Sequence, residues 1–395
     1  MMRVAVVVRT FPTLSETFVL NQVTGLIDRG CDVTVLARDA GEAHPEFEQY
    51  GLRDKTVYHE RLSLRHPVTA IRALKYGAHG RRVLQAYGAA SKLEPFDVIH
   101  CHFGPLGLLA VRLRELGGIQ GRIVTTFHGF DITAAVQEKG EGVYAELFEK
   151  GDLFLPISEL WHRRLIELGC PAERIAVHRM GIDLERFRFG ACDIGTPLEL
   201  VSVTRLTHKK GLEYSIRAVA ALCAEGRNVH YRIAGDGPLR PELEALIQEL
   251  GVAGKVELLG AIDQDAAAAL LASADVLLAP SVTAPNGDME GIPVALMEAM
   301  ATGLPVVTTR HSGIPELVTH NVSGYLAAEH DVDGLADGIR TICDNPAIAS
   351  EWAEAARRTV QERHDIEGLN DQLLERFRHA AGDAAHERRS ASGHA

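Results

Sequence analysis

Residues 279–309 read APSVTAPNGDMEGIPVALMEAMATGLPVVTT, and their order of elements decides the fold. A strand ends at Ala279. A loop of Pro, Asn and Gly follows, a helix starts near Pro293, and a second apolar strand runs over Pro305–Thr308. Proline suits the first helical turn because the N–H it lacks would have had no partner there. Short β-rich apolar runs separated by a helix make a βαβ unit, and such units build a parallel sheet.

The same alternation extends outward in both directions. Upstream lie strand-like runs at Leu198–Val203, Val229–Ala234, Val256–Leu259 and Asp275–Ala279. Helical patterns follow at Val332–Cys343 and Ala347–His364. The first half repeats the theme with Arg3–Val8, Asp32–Ala37, Asp97–His100, Arg122–Thr126, Leu153–Pro156 and Arg174–His178 as strands. Leu14–Arg29, Leu106–Leu116 and Glu159–Leu168 are the helices between them. Residues 181–197, GIDLERFRFGACDIGTP, have no clean period and read as a linker. The expected class is therefore α/β, with two Rossmann-like, doubly wound parallel-sheet domains facing a cleft. The N-terminal domain covers 1–180 and the second domain 198–345. Helices over 346–378 are free to pack back on the first domain, and a frayed tail follows over 379–395.

Composition narrows the classes. The chain has 395 residues, which favours two domains. A formal charge of -12 speaks against nucleic acid as the main partner. The apolar run Val4–Val8 is cut by Arg9, so the N-terminus reads as a buried strand rather than a leader, and no stretch approaches the roughly 20 residues that span a bilayer. Six scattered cysteines fit reduced thiols and a cytoplasmic setting. No G-x-G-x-x-G follows a strand, which removes a dinucleotide dehydrogenase.

In open α/β sheets, ligands sit beyond the carboxyl ends of the strands. Three loops there carry candidate chemistry. In 279–309, the amides of Gly291 and Ile292 lie close to an uncapped helix N-terminus, an anion site. Glu290 and Glu298 flank it, roughly 12 Å apart if the whole interval rises as helix. That spacing suits a sugar at one end and a ribose at the other, with a diphosphate between. In VSVTRLTHKKGLEYSI (201–216), Arg205, Lys209 and Lys210 fall at a strand end, and a guanidinium fork with a lysine suits a diphosphate. In AGDGP (234–238), Gly235 and Gly237 would let a ligand approach the backbone. The acidic triplets 263–265 and 331–333 sit where helices start and read as caps, not metal ligands. His100, Cys101 and His102 lack the further ligand spacing of a metal site.

These segments resemble a known family. EGIPVALMEAMATGLPVV, TRLTHKKG, AGDGP and RHSGIPELV occur in the order of retaining GT-B glycosyltransferases of family 4, and TTFHGFDI (125–132) resembles that family's HG-x-D segment. FPTLSETFVLNQVTGLIDRG, CHFGPLG, LFLPISE and HRMGIDLERF are similar to a narrower branch, the colanic-acid and amylovoran type exopolysaccharide transferases. The resemblance implies that Glu290 contacts the donor sugar and Glu298 the ribose. It implies that Arg205 and Lys210 hold the diphosphate, and that His128 sits near the reacting carbon. It also implies retention of anomeric configuration, no metal or other cofactor, and UDP as the favoured nucleotide. The departing phosphate would then take the acceptor's proton. Ser15, Glu16 and Asp131 are the acceptor-side candidates. The chain departs from the family at Thr204, where glycine is frequent, and over Pro12–Phe18, where many members carry Gly-Gly. After Thr309 a single glycine, Gly313, stands behind His311 and Ser312.

Residues 61–93 hold no Asp or Glu. Arg72, Lys75, His79 and Arg82 recur at helical spacing beside Ile71, Leu74 and Ala78, which predicts a basic face for an anionic membrane. A polyprenyl-linked glycan acceptor would reside there, at the inner face of the cell membrane. Two other readings use the same nucleotide-sugar site: an epimerase or hydrolase of this fold, and a binding protein without catalysis.

Overall fold

A computed structural model describes residues 1–13, 16–41, 48–59, 67–190 and 194–392. The chain forms two compact units. The first comprises Met1–Ile157, Trp161–His178 and Glu367–Ala395; the second comprises Ser158–Leu160 and Arg179–Ile366.

The first unit is built on a parallel sheet of β1 (Arg3–Phe11), β2 (Asp32–Ala40), β3 (Thr56–Tyr58), β4 (Val98–His102), β5 (Arg122–Phe127) and β6 (Leu153–Pro156). Their order is β3-β2-β1-β4-β5-β6. Val4–Val8 of β1 are buried on both faces, which is why the strand is apolar without alternation. Val6 pairs with Val35 on one side and His100 on the other.

The second unit repeats the plan with β7 (Leu198–Val203), β8 (Val229–Ala234), β9 (Val256–Gly260), β10 (Val276–Ala279), β11 (Val306–Thr309) and β12 (Tyr325–Ala327), ordered β12-β11-β10-β7-β8-β9. Its core joins Leu200, Tyr231, Ile233, Leu278 and Val307 to helix residues such as Ile216, Ile339 and Trp352. In each unit the strand order reverses next to the first strand, between β1 and β4 and between β7 and β10. Those are the places where doubly wound sheets bind ligands.

Four sequence expectations need correction. Arg174–His178 is not a sheet strand: Ile175 makes an isolated bridge to Phe154, and Ala176 and His178 donate to Phe154 and Pro156 at the edge of β6. The interval 181–197 is not all linker, because Ile182 and Phe187 are buried in the second unit. The two C-terminal helices part company. Pro346–Arg363 stays with the second unit, where Ala349 and Trp352 enter its core. Leu373, Leu374 and Phe377 of the last helix enter the core of the first. There Asn370 occupies the space that a Cβ at Gly25 would need, 1.9 Å from its Nδ2. Finally, that last helix, Ile366–Ser392, continues past His379, where composition predicts fraying.

The basic stretch is also broken. Helix Pro67–Ala73 gives way to a 3-10 segment, Leu74–His79, with Gly77 at φ 52° and ψ -129°, before helix Gly80–Ala90. Arg72, Lys75, His79 and Arg82 are exposed but do not form one continuous helical face. Lys75 pairs with Glu115 at 2.8 Å, and Arg61 and Arg65 lie outside the described residues. Among the described residues no helix is long and apolar enough to cross a membrane.

Candidate active site

In the second unit, the loops after β7 and β10 meet at the reversal of strand order. Gly211 makes this possible. It has φ +62°, and a Cβ there would lie 1.9 Å from the Pro280 carbonyl oxygen. The close approach lets Val282 donate its N–H to the Lys209 carbonyl at 2.9 Å. Two lysines are thereby set against two carboxylates of the β10 loop. Lys209 Nζ lies 3.1 Å from Asp288, and Lys210 Nζ lies 2.5 Å from Glu290. Burial pushes the Glu290 carboxyl upward, but Lys210, Lys209 and Arg205 outweigh it and hold the group down at about 2. Glu290 is thus ionised at any working pH. Arg205 is exposed and has no ion pair among the described residues.

The helix runs Val294–Thr302, with Pro293 in an extended conformation at its N-cap and no side-chain cap. The expected start near Pro293 is met, and helical rise applies only from Val294 onward, so it covers only part of the interval between the two glutamates. Gly291 and Ile292 are buried residues, and among the described residues their amides donate to no partner. They and the first helical amides form an anion-binding end. Glu298 lies inside the helix and is buried. Burial raises its carboxyl to about 7, with Arg186 pulling the other way. Gly235 and Gly237 have a packing reason as well: added Cβ atoms would lie 1.8 Å from the Thr204 carbonyl oxygen and 2.5 Å from that of Leu206. Asp263 and Asp331 cap helices by accepting from Ala266 and Gly334.

In the first unit, the loops after β4 and β5 enclose a cluster of imidazoles. His128 follows β5 directly, and its Nε2 lies 3.1 Å from Nδ1 of His102 on β4. Phe103 and Phe18 pack on the His128 ring, with centroids at 4.5 and 4.7 Å. Phe103 adopts φ 75°, a conformation that a residue with a side chain seldom takes. Burial and the nearby His100 hold His128 down at about 3, so it is a neutral imidazole. Its Nδ1 has no hydrogen-bond partner among the described residues.

Asp131 is corrected from acceptor contact to scaffold. It is fully buried, with one oxygen accepting from Gly104 N–H at 2.9 Å and the other from His128 and Gly129 N–H at 3.0 and 2.9 Å. One oxygen holds the turn that carries His128, and the other ties that turn to the start of helix Gly104–Glu115 after β4. Burial raises its carboxyl to about 6, against the pull of those amides. Glu16 stands at the N-cap of helix Thr17–Asp28, just beyond β1. Ser15 lies outside the described residues. Among the described residues no three His, Cys, Asp or Glu side chains gather as metal ligands.

Comparison with known proteins gives this arrangement a family. Residues 15–186 match glycosyltransferase family 4, and residues 188–359 match glycosyl transferases group 1. WcaL of Salmonella typhimurium, a glycosyltransferase named for colanic acid biosynthesis, is 42% identical over 94% of this chain and 98% of its own. The chain is a family 4 glycosyltransferase. The amylovoran biosynthesis glycosyltransferase AmsK of Erwinia amylovora is 43% identical over 89% of the chain and 93% of its own. The crystal structure of Anabaena Alr3699/HepE with UDP and glucose has the same fold, with a TM-score of 0.78 at 21% identity over 95% of this chain and 99% of that one. The GT-B architecture expected from the motifs is therefore present.

Three residues that pair with or pack against these positions carry little signal in the sequence. Asp288 sits two residues before Glu290 and carried no spacing signal of its own. His102 was weighed only as a metal ligand, although its position at the end of a strand beside the one that leads to His128 was available as a clue. Phe103 gave no sequence sign of its backbone conformation.

Proposed function

We propose that this glycosyltransferase moves a sugar from a nucleotide-diphosphate sugar, with UDP as the favoured carrier, to a glycan acceptor on a polyprenyl lipid in exopolysaccharide assembly. Transfer proceeds with retention and without a metal ion. One observation carries the reading: Arg205, Lys209 and Lys210 stand beside Glu290 and the open amides of helix Val294–Thr302. A leaving nucleoside diphosphate gains negative charge as the sugar bond breaks, and fixed cations and amides stabilise that charge as it develops. Glu290, always ionised, accepts hydroxyls of the donor sugar. Glu298 accepts the ribose diol. His128 offers its free Nδ1 to the sugar or the transition state, and the departing phosphate takes the acceptor's proton. The names of WcaL and AmsK support the polymer assignment, and the UDP in the HepE crystals supports the nucleotide.

The test is a thermal-shift screen of UDP, GDP and their sugars, then product analysis on the hits with and without EDTA. Proton NMR of the anomeric signal reads retention. If no nucleotide raises the melting temperature, the reading fails. Free sugar or an epimer appearing equally well without acceptor would instead indicate a hydrolase or epimerase, and binding without turnover a non-catalytic protein.

For the acceptor side, exposed Arg72 beside exposed Ile71 and Leu74, with exposed Arg82 on the next helix, supports docking on an anionic membrane, at the cytoplasmic face. Failure to co-sediment with anionic vesicles at low salt would rule that out.

A further inference from the structure

The turn after β11 reads Arg310-His311-Ser312-Gly313, and the functional reading above leaves His311 unused. His311 is fully buried at the edge of the donor loop. The backbone N–H of Glu290 donates to its Nε2 at 3.0 Å. A ring nitrogen that accepts carries no proton, so the proton is on Nδ1. Nδ1 therefore donates to Glu329 Oε1, at 2.6 Å. The other Glu329 oxygen accepts the N–H of Thr283 at 2.7 Å. One carboxylate thus holds Thr283 at the start of the loop directly, and Glu290 at its end through an imidazole. Between those points the loop closes on itself: Ala284 donates to the Asp288 carbonyl at 2.9 Å, and Gly287 to the Ala284 carbonyl at 2.8 Å. The turn also lies tight against the next anion-binding residue, since a Cβ at Gly313 would come 3.1 Å from Ile292 Cγ1. Ser312 stands between them at φ 48°, a backbone conformation that persists only where its surroundings enforce it.

We propose that Glu329 and His311 form a positioning clamp. It fixes the loop 283–290 so that the Glu290 carboxylate and the Gly291 and Ile292 amides are in place before the donor arrives. The inference rests on reading that loop as the donor site. Neither side chain need touch the donor; each acts through the loop backbone. Ordering the loop in advance removes that cost from binding.

Conservative variants separate a clamp from a histidine that merely fills space. A glutamine amide oxygen reaches the Nε2 position and can accept the Glu290 N–H. An asparagine amide reaches only the Nδ1 position, so it keeps Glu329 and abandons Glu290. UDP and GDP affinities by calorimetry, and hydrogen exchange over peptides spanning 283–292, are measured for the full chain and for His311→Asn, His311→Gln and Glu329→Gln. His311→Asn should bind nucleotide about tenfold more weakly, the loss of one hydrogen bond's worth of order, and lose protection over 283–292. His311→Gln, which keeps the Glu290 bond but gives up Glu329, should retain part of both. Glu329→Gln, which keeps the shape of the side chain and guards against a misfolded histidine variant, should loosen the same peptides. Unchanged affinity and exchange in His311→Asn and Glu329→Gln overturns the clamp, as does His311→Gln matching His311→Asn. If the unaltered chain binds neither nucleotide, the donor reading falls, and exchange over 283–292 alone decides the clamp.

Discussion

Replacing Glu298 with glutamine should make the protein more stable and a poorer binder of donor. Burial lifts the Glu298 carboxyl from 4.5 to about 7, against the opposing pull of Arg186. At 1.36 kcal/mol per unit, holding it ionised costs about 3 kcal/mol relative to the unfolded chain. The sign follows from the direction of the shift. The folded state holds this proton more tightly, so the cost is absent below the unfolded value, grows as pH rises through the interval, and is constant above the folded value. Glutamine never ionises and escapes it. Glu298→Gln should therefore gain about 3 kcal/mol at pH 8 but less than about 1 kcal/mol at pH 5. For a unit of this size, each kcal/mol moves the melting temperature by about 2–4 °C. If the carboxylate takes the ribose diol, the same variant should bind UDP about ten- to a hundredfold more weakly, because a charged acceptor is lost. Thermal unfolding at both pH values, with and without UDP, reads both effects. An equal melting difference at pH 5 and pH 8 would refute the burial argument. An unchanged UDP affinity would refute the ribose assignment and leave the stability argument standing.

Arg205→Ala should weaken UDP by about tenfold or more while leaving uridine little affected, because the lost contact is to phosphate; calorimetry showing the same loss for both ligands would remove Arg205 from the diphosphate. His102→Ala should lower kcat with little change in KM by releasing the ring of His128, and His102→Asn, which keeps a polar group near Nδ1, should restore part of it; a change confined to KM would argue against positioning. Stability of the whole chain should fall steeply in mild acid. His59 and His364 are held down at about 4, His100, His128 and His178 at about 3, and His102 well below its ordinary value, in each case mainly by burial, while burial raises Asp131 and Glu298. Histidines with depressed values confer their stability fully above 6.5 and lose it as pH falls towards the folded values, whereas the two raised carboxyls act in the opposite sense. Six imidazoles against two carboxyls leave about four protons taken up on unfolding, or about 5 kcal/mol per pH unit between pH 6 and 5; urea titrations giving equal free energies at those two values would contradict it.

What could be read from the sequence follows a physical line. Long apolar strands such as Arg3–Phe11 and Leu198–Val203 declare themselves because both faces are covered. The three-residue edge strands Thr56–Tyr58 and Tyr325–Ala327 do not, since three residues carry no period. Arg174–His178 has the composition of a strand and some of its hydrogen bonds, but only one bridge. Glu290, Lys210 and Arg205 were legible because each sits at a strand end or a helix start, where geometry restricts what a charge can do. Asp131 was misplaced because a carboxylate that binds three backbone amides and one that faces a ligand look alike in a string of letters. The His311–Glu329 pair was not legible as a pair, since the two residues lie on opposite sides of β12 and meet only once the sheet is formed.

The two glutamates of the donor segment show why spacing alone assigns no chemistry. They lie eight residues apart in one stretch, yet their carboxyls are held at about 2 and about 7. The difference does not come from burial, which pushes both upward. It comes from what else reaches them. Glu290 precedes the helix, where the β7 loop delivers Lys209, Lys210 and Arg205. Glu298 lies within the helix, where the pull of Arg186 does not outweigh burial. A carboxylate fixed as an anion suits the end of the donor where charge and hydroxyls must be held throughout the reaction. A carboxyl poised near neutrality suits the end that only has to recognise a diol, because hydroxyl donors arriving there favour the anion and supply the hydrogen bonds that its burial withholds.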